Sequence, residues 1–217
     1  MSNVKPRRRY DSTHRQETAR RRRLAILDVA ERRFLSHGYA STTIAAIAQE
    51  AGVSAELIYK AYGGKGGMVK AIYDRRLAGT GPVPAYQRSD EMREQRTDPK
   101  AILHEWGLLT AEVAATLTPI RLLLRSAATT DADMARVLEQ TEKERLDRMR
   151  HHAEFLAERG YLRPHMGVDE ATDVLWVCSS TELYELLVIQ RGWSPPMFAQ
   201  FITDFMSTGL LRPNSRG

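Results

Sequence analysis

Apolar residues recur with a helical period along most of the chain. From about Glu17 onward, Leu24, Ile26, Leu27, Ala30 and Phe34 form one stripe, and Gly38 is placed to end that helix in a left-handed cap. Ser41, Thr42 and Thr43 can cap a short helix in which Ile44, Ile47, Ala48 and Ala51 fall at i, i+3, i+4 and i+7. Gly52 stops it. Ser54 then caps a second short helix with Leu57, Ile58 and Tyr62 facing inward, closed by Gly63-Gly64 and followed by a fourth helix over 65–78. The run Gly79-Thr80-Gly81-Pro82-Val83-Pro84 is the strongest breaker in the chain, and the polar residues up to Pro99 extend it. Beyond it the spacing predicts helices over 99–117, 119–129 with Pro119 at a first helical position, 131–159, 169–191 and 195–211. No segment alternates with period two, so the expected fold is all-α, with about nine helices. The expected organisation is a disordered basic arm over 1–15, a domain of short helices over 16–64, a connecting helix over 65–79, a linker over 80–98, and a second α-helical domain over 99–217.

Composition narrows the class. With 217 residues, 42% hydrophobic and 27% charged, the chain can bury one large or two small cores, which sets it apart from disordered and collagenous sequences. Uninterrupted apolar stretches such as Val174-Leu175-Trp176-Val177-Cys178 fall far short of the ~18 residues that signal a membrane span, so no membrane partner is expected. The basic N-terminus lacks the apolar core of a secretory signal, and the expected location is the cytoplasm. A single cysteine, Cys178, excludes an internal disulfide and a Cys-rich zinc site. The net charge of +5 hides a strong asymmetry: residues 1–79 hold 16 Lys/Arg against 7 Asp/Glu, whereas 80–217 hold 16 against 20. A basic head on an acidic body points to a polyanionic partner.

The segment from Ile44 to Tyr62 has the layout of a helix-turn-helix. Ala48 lets two helices cross closely, Gly52 supplies the positive φ of the turn, and Ile47, Ala51, Val53 and Ile58 fill the space between them. A second helix so held can enter the major groove of DNA. At these residues the chain resembles the TetR family of bacterial transcriptional regulators. The matching positions are Gly38-Tyr39-Ala40-Ser41-Thr42-Thr43-Ile44, Ile47-Ala48, Ala51-Gly52-Val53-Ser54, Ile58-Tyr59, Tyr62 and Lys65, and Gly160-Tyr161-Leu162-Arg163-Pro164 agrees with the family's later layout. The pattern departs from the family at Leu57, where Thr or Ser is common, and at Gly66-Gly67, where an acidic and a small residue are common. The resemblance implies an N-terminal DNA-binding domain, a variable ligand-binding domain and dimerisation through the last two helices. It assigns phosphate or base contacts to Thr43 and Tyr59, a phosphate contact to Lys65, and base reading to Ser54, Ala55, Glu56 and Lys60. Glu56 accepts from a cytosine amino group, repels wrong sequences, or simply faces solvent. Arg7, Arg8 and Arg9 of the arm are expected to add phosphate contacts.

The later residues carry less specific signals. Trp106, Leu109, Met149, His152, Phe155, Trp176 and Tyr184 are candidate ligand contacts, since sites between helices are apolar with a few polar groups. Val174, Cys178, Phe198, Phe201, Ile202 and Phe205 are candidate dimer contacts, because the terminal helices carry more apolar surface than a chain end usually exposes. Pairing them in a four-helix interface would set two recognition helices about 34 Å apart, one duplex turn. No cofactor and no metal site are expected: the adjacent His151 and His152 point about 100° apart on a helix, and no His-x-x-x-His pair exists. With no phosphate loop or catalytic triad spacing, the chain does not read as an enzyme. The expected function is a homodimeric repressor that binds a palindromic operator in double-stranded DNA and is released by an unidentified small molecule. The rival is an architectural protein that binds DNA without sequence choice, distinguished by steep salt dependence and little preference among duplexes.

Overall fold

The computed structural model describes residues 10–81 and 83–212, and these divide into two compact units at Ile72 and Tyr73. In the first unit, the stripe expected from the sequence becomes the core: Ile26, Ala30 and Phe34 of α1 (Tyr10–His37), Ile47 of α2 (Ile44–Ala51), Ile58 of α3 (Ala55–Tyr62), and Met68, Val69 and Ile72 of α4 (Lys65–Leu77) are buried. Each such side chain contributes about 1.5–3 kcal/mol by leaving water. Helix α1 begins at Tyr10, inside the stretch 1–15 expected to be an arm, where no apolar position marks it in a periodicity. Arg7, Arg8 and Arg9 lie outside the described residues.

The two short helices are stopped as expected. Gly52, at φ 65°, sits in the left-handed region that glycine favours, and its N–H reaches back to the carbonyls of Ala48 and Gln49. Gly67, early in α4, matters for a different reason: a Cβ there would lie 1.8 Å from the carbonyl oxygen of Tyr62. Only a residue without a side chain allows that approach.

The second unit is built on α6 (Pro99–Ala127) and α7 (Ala132–Glu158), with α5 (Ala85–Gln95), α8 (Val168–Cys178), α9 (Thr181–Tyr184), a wider π-helical continuation over Glu185–Gln190, and α10 (Pro195–Leu210). Three expectations are corrected. The linker over 80–98 contains α5, a polar helix that buries only Ala85 and Ser89 and so leaves little hydrophobic signal. The two helices expected over 99–117 and 119–129 are one, running through Pro119, where the Thr118 hydroxyl bonds the Ala114 carbonyl at 2.6 Å. The helix expected over 169–191 breaks at Ser179-Ser180.

α10 packs closely on α6. The contact depends on Gly107, whose Cβ would meet the Thr203 Oγ1 at 2.2 Å and the Ala199 carbonyl oxygen at 2.9 Å. A single antiparallel bridge between Leu162 and Leu211 ties the turn after α7 to the end of α10. An 18-residue window of α6 is long and apolar enough to cross a membrane, which the uninterrupted runs alone did not suggest. Its inward residues, among them Ile102, Leu103, Ala114 and Ile120, are core of this unit.

Candidate nucleic-acid interface and internal cavity

In the first unit, α3 is placed by its two ends. Ser54 accepts a hydrogen bond from the Leu57 N–H at 3.2 Å, and Gly63 closes the far end by donating to the Tyr59 carbonyl at 2.8 Å. Ile58 is 0% exposed and anchors the inner face, while its neighbour Tyr59 is 56% exposed. Glu56, Tyr59 and Lys60, spaced i, i+3 and i+4, are thereby presented together on the solvent side, and Ala55 is half-buried at the first turn. Thr43 stands exposed at the start of α2, its Oγ1 accepting from the Ala46 N–H at 3.1 Å. Tyr62 faces inward, as read from the sequence, and its hydroxyl donates to the Arg23 carbonyl at 2.9 Å.

Lys65 does more structural work than its sequence position suggests. Its ammonium donates to the carbonyls of Tyr39 at 2.7 Å and Thr42 at 3.1 Å and lies 4.1 Å from the centroid of the Tyr39 ring. One of its three donors remains for an anion. Two further supports have roles that the sequence did not indicate. Thr42 is buried, and its hydroxyl lies 2.8 Å from the Gly38 carbonyl and 3.2 Å from that of Arg33. Glu50 of α2 takes Arg32 on one oxygen and Arg33 on the other, both at 2.5 Å. These two arginines hold the Glu50 carboxyl below the usual carboxylate range. Arg20, Arg21, Arg22 and Arg23 of α1 are exposed.

The second unit contains a partly open cavity of about 180 Å³. Of the residues expected at a ligand site, Trp106, Leu109, Met149 and His152 line it, and Phe155, Trp176 and Tyr184 do not. The last three are aromatic packing. Phe155 lies against Tyr161, Trp176 carries the Arg145 guanidinium at 4.3 Å, and Tyr184 meets Phe198 edge-on at 5.2 Å. Arg121, Arg145 and Arg148 line the cavity as well. Arg121 and Arg145 share the carboxylate of Glu142, and Arg148 and Arg93 share that of Asp90. Burial lowers the pKa of both Arg121 and Arg145. The signal for Arg121 was available: it stands four residues after Leu117 and three before Leu124, on the buried stripe of α6.

Two polar atoms in the same wall have no partner, the Trp106 indole nitrogen and Nδ1 of His152. Their rings lie 4.3 Å apart. Burial, then the charges of Arg148, Arg93 and His151, push the His152 pKa well below its ordinary value, so the imidazole is neutral. Cys178 also lines the cavity, and burial raises its thiol to about 12, which leaves it protonated and unreactive.

The residues expected at a dimer interface separate into two groups. Cys178, Phe198 and Ile202 are interior to this unit and unable to meet a partner as they stand. Val174 and Phe201 are half-buried, and Phe205 is exposed. Val177, Leu186, Ile189 and Met197 are exposed as well, on α8, the π-helical segment and the start of α10.

Residues 26–72 match the model of the bacterial regulatory proteins of the tetR family. No curated protein matches the chain in sequence. Among solved structures, NalD, the secondary repressor of the MexAB-OprM multidrug efflux pump in Pseudomonas aeruginosa, is similar over 92% of this chain and all of its own, with 20% identity and a TM-score of 0.69. SmeT in complex with triclosan is similar over 89% of this chain and 93% of its own, with 21% identity and a TM-score of 0.68. The fatty acid degradation regulator FadR from Bacillus halodurans is similar over 86% and 93%, with 16% identity and a TM-score of 0.66. At these identities the structural likeness concerns the fold.

Proposed function

We propose, for a chain that residues 26–72 place in the tetR family of bacterial regulatory proteins, a function as a homodimeric repressor that reads a palindromic operator and releases it when a small molecule occupies the cavity. The observation that carries the reading is the outer face of α3. A helix capped at both ends and anchored by Ile58 presents Glu56, Tyr59 and Lys60 together, as major-groove reading requires. Thr43, Ser54 and the third donor of Lys65 serve phosphates beside it, with the exposed arginines of α1 adding sequence-independent affinity. A second copy of the chain covers the exposed apolar side chains of α8, the π-helical segment and α10, Phe205 among them. NalD is named as a repressor and SmeT is seen with triclosan, and both roles are carried here as part of the proposal.

Ligand control follows from linkage. A molecule that binds the operator-free form more tightly must weaken operator binding by the same factor by which the operator weakens its own. No catalytic step is part of this function.

Selection of sites from random duplex DNA with the purified protein tests it. Enrichment of an inverted repeat is the expected outcome, followed by release from that repeat by members of a compound library. Salt-sensitive retention without an enriched motif would overturn sequence-specific regulation in favour of architectural binding.

A further inference from the structure

The cavity in the second unit has a size, a charge pattern and two idle donors that together describe its occupant. At about 180 Å³ it falls below the ~300–1,000 Å³ of pockets for drug-sized molecules. It is close to the ~150 Å³ of an apolar cavity known to hold benzene. Its walls at Leu109, Met149, Leu175 and Met206 are apolar, so they suit a body of about one ring.

Polarity is concentrated at one place in the wall. Trp106 and His152 are each 5% exposed, their rings are in contact, and the indole N–H and Nδ1 lack any partner. An unmet buried polar group is costly, and two of them side by side mark a spot that a ligand's polar atoms would satisfy. The indole can only donate. The neutral imidazole donates there in the tautomer with its proton on Nδ1. In that tautomer the two neighbouring donors suit a carboxylate, which accepts at two oxygens.

Charge separates a neutral acceptor from an anionic one. The groups that act on His152 by charge are Arg148, Arg93 and His151, and each disfavours a further positive charge. The potential at this spot is therefore positive. Arg148 and Arg93, the two arginines that act on His152, share the one carboxylate of Asp90, whereas Arg121 and Arg145 share Glu142 and are further balanced by Glu182. Glu144 is the acidic residue of the cavity lining, and it is exposed at the side-chain level, accepting from Gln140 at 2.8 Å. In a buried setting such an excess favours an anion and rejects a cation.

We propose that the effector is a compact amphipathic monoanion, about the size of a single-ring carboxylic acid. Its carboxylate takes the hydrogen bonds of Trp106 and His152 beside Arg148, and its ring lies against Leu109 and Met149. This rests on the reading of the cavity as the effector site and adds the chemical class.

The test compares three probes that share a ring and differ in charge: benzoate, benzyl alcohol and benzylamine. Each is titrated into the full-length protein labelled with 15N, with the Trp106 indole resonance as readout, identified as the one of three tryptophan signals that Trp106→Phe removes. Benzoate is expected to shift that resonance and to bind at least tenfold more tightly than the alcohol, with the amine weaker still. By calorimetry, Trp106→Phe and His152→Gln each reduce benzoate affinity about tenfold and move the alcohol by less than twofold. Calorimetric titration of the three probes into the unaltered protein ranks them even if a variant fails to fold. Equal binding of the alcohol or the amine would overturn the anionic assignment and leave the cavity standing as an effector site. Failure of every probe to move the Trp106 signal would also overturn it. Ligand-responsive repression itself is judged separately, by release of the selected operator with an unbiased library.

Discussion

Replacing Lys65 by Met separates a structural tether from a phosphate contact. The ammonium makes two charge-assisted hydrogen bonds, to the Tyr39 and Thr42 carbonyls at 2.7 and 3.1 Å, and stands 4.1 Å over the Tyr39 ring. Hydrogen bonds to charged groups contribute about 1.5–3 kcal/mol, and an exposed cation–π contact about 0.5–1 kcal/mol. Lys65 is half-buried, so water recovers part of this after the substitution. Methionine keeps the length and helix propensity of the stem. A net loss of about 2 kcal/mol from the first unit is expected. Hydrogen exchange reads it locally: a change of that size accelerates the slowest amides of α2 and α3 about 30-fold. On DNA, loss of the remaining donor lowers the salt slope by at most ~0.9, the value of one phosphate contact. Unchanged exchange in α2 and α3 together with a full 0.9 drop in slope would refute the tether and leave Lys65 as a phosphate ligand alone.

Gly107→Ala forces a Cβ against the Ala199 backbone carbonyl and the Thr203 side chain, so it should cost about 1–3 kcal/mol, read as a lower urea midpoint of the second unit. A midpoint within error of the unaltered protein would mean that α10 shifts at no cost. Glu112 is held at about 2 by the paired bonds of Arg88, against the opposing effect of burial and with further help from the Thr80 N–H. Because its folded pKa is depressed, its contribution is complete above the ordinary value of 4.5 and disappears as pH falls from 4.5 towards 2. After allowance for partial exposure this is about 2 kcal/mol. Glu112→Gln should therefore be less stable at pH 7, with the gap to the unaltered protein closing between pH 4.5 and 2; a gap independent of pH would exclude the ion pair as its source. Glu56→Ala should relax base preference at one symmetric pair of positions in the selected motif and leave the salt slope unchanged, whereas an identical motif would assign Glu56 to solvent.

How much of this was legible in the sequence depended on whether the signal was local. Caps, glycine stops and periodic stripes are written within a few residues, and Ser54, Gly52 and Ile58 stand where the pattern placed them. What a buried side chain touches is not written locally. Trp106 and Trp176 are both tryptophans on apolar helices, yet one lines the cavity and the other supports Arg145, because their helices approach different neighbours. The last helices show the same limit more sharply. α8 and α10 are apolar over more than one face, and periodicity cannot say which face their own chain consumes. Phe198 and Ile202 meet α6 and its neighbours, and what remains outward is Val177, Leu186, Ile189, Met197 and Phe205. α5 was missed for the opposite reason: a helix that buries only Ala85 and Ser89 is held by Arg148 bonding the Tyr86 carbonyl and Asp90 at 2.8 Å each, contacts that no window of its own sequence contains. The same arginine then borders the cavity beside His152, and Arg93 of α5 acts on that histidine as well, so a segment that reads as linker helps to set the charge at the proposed effector site.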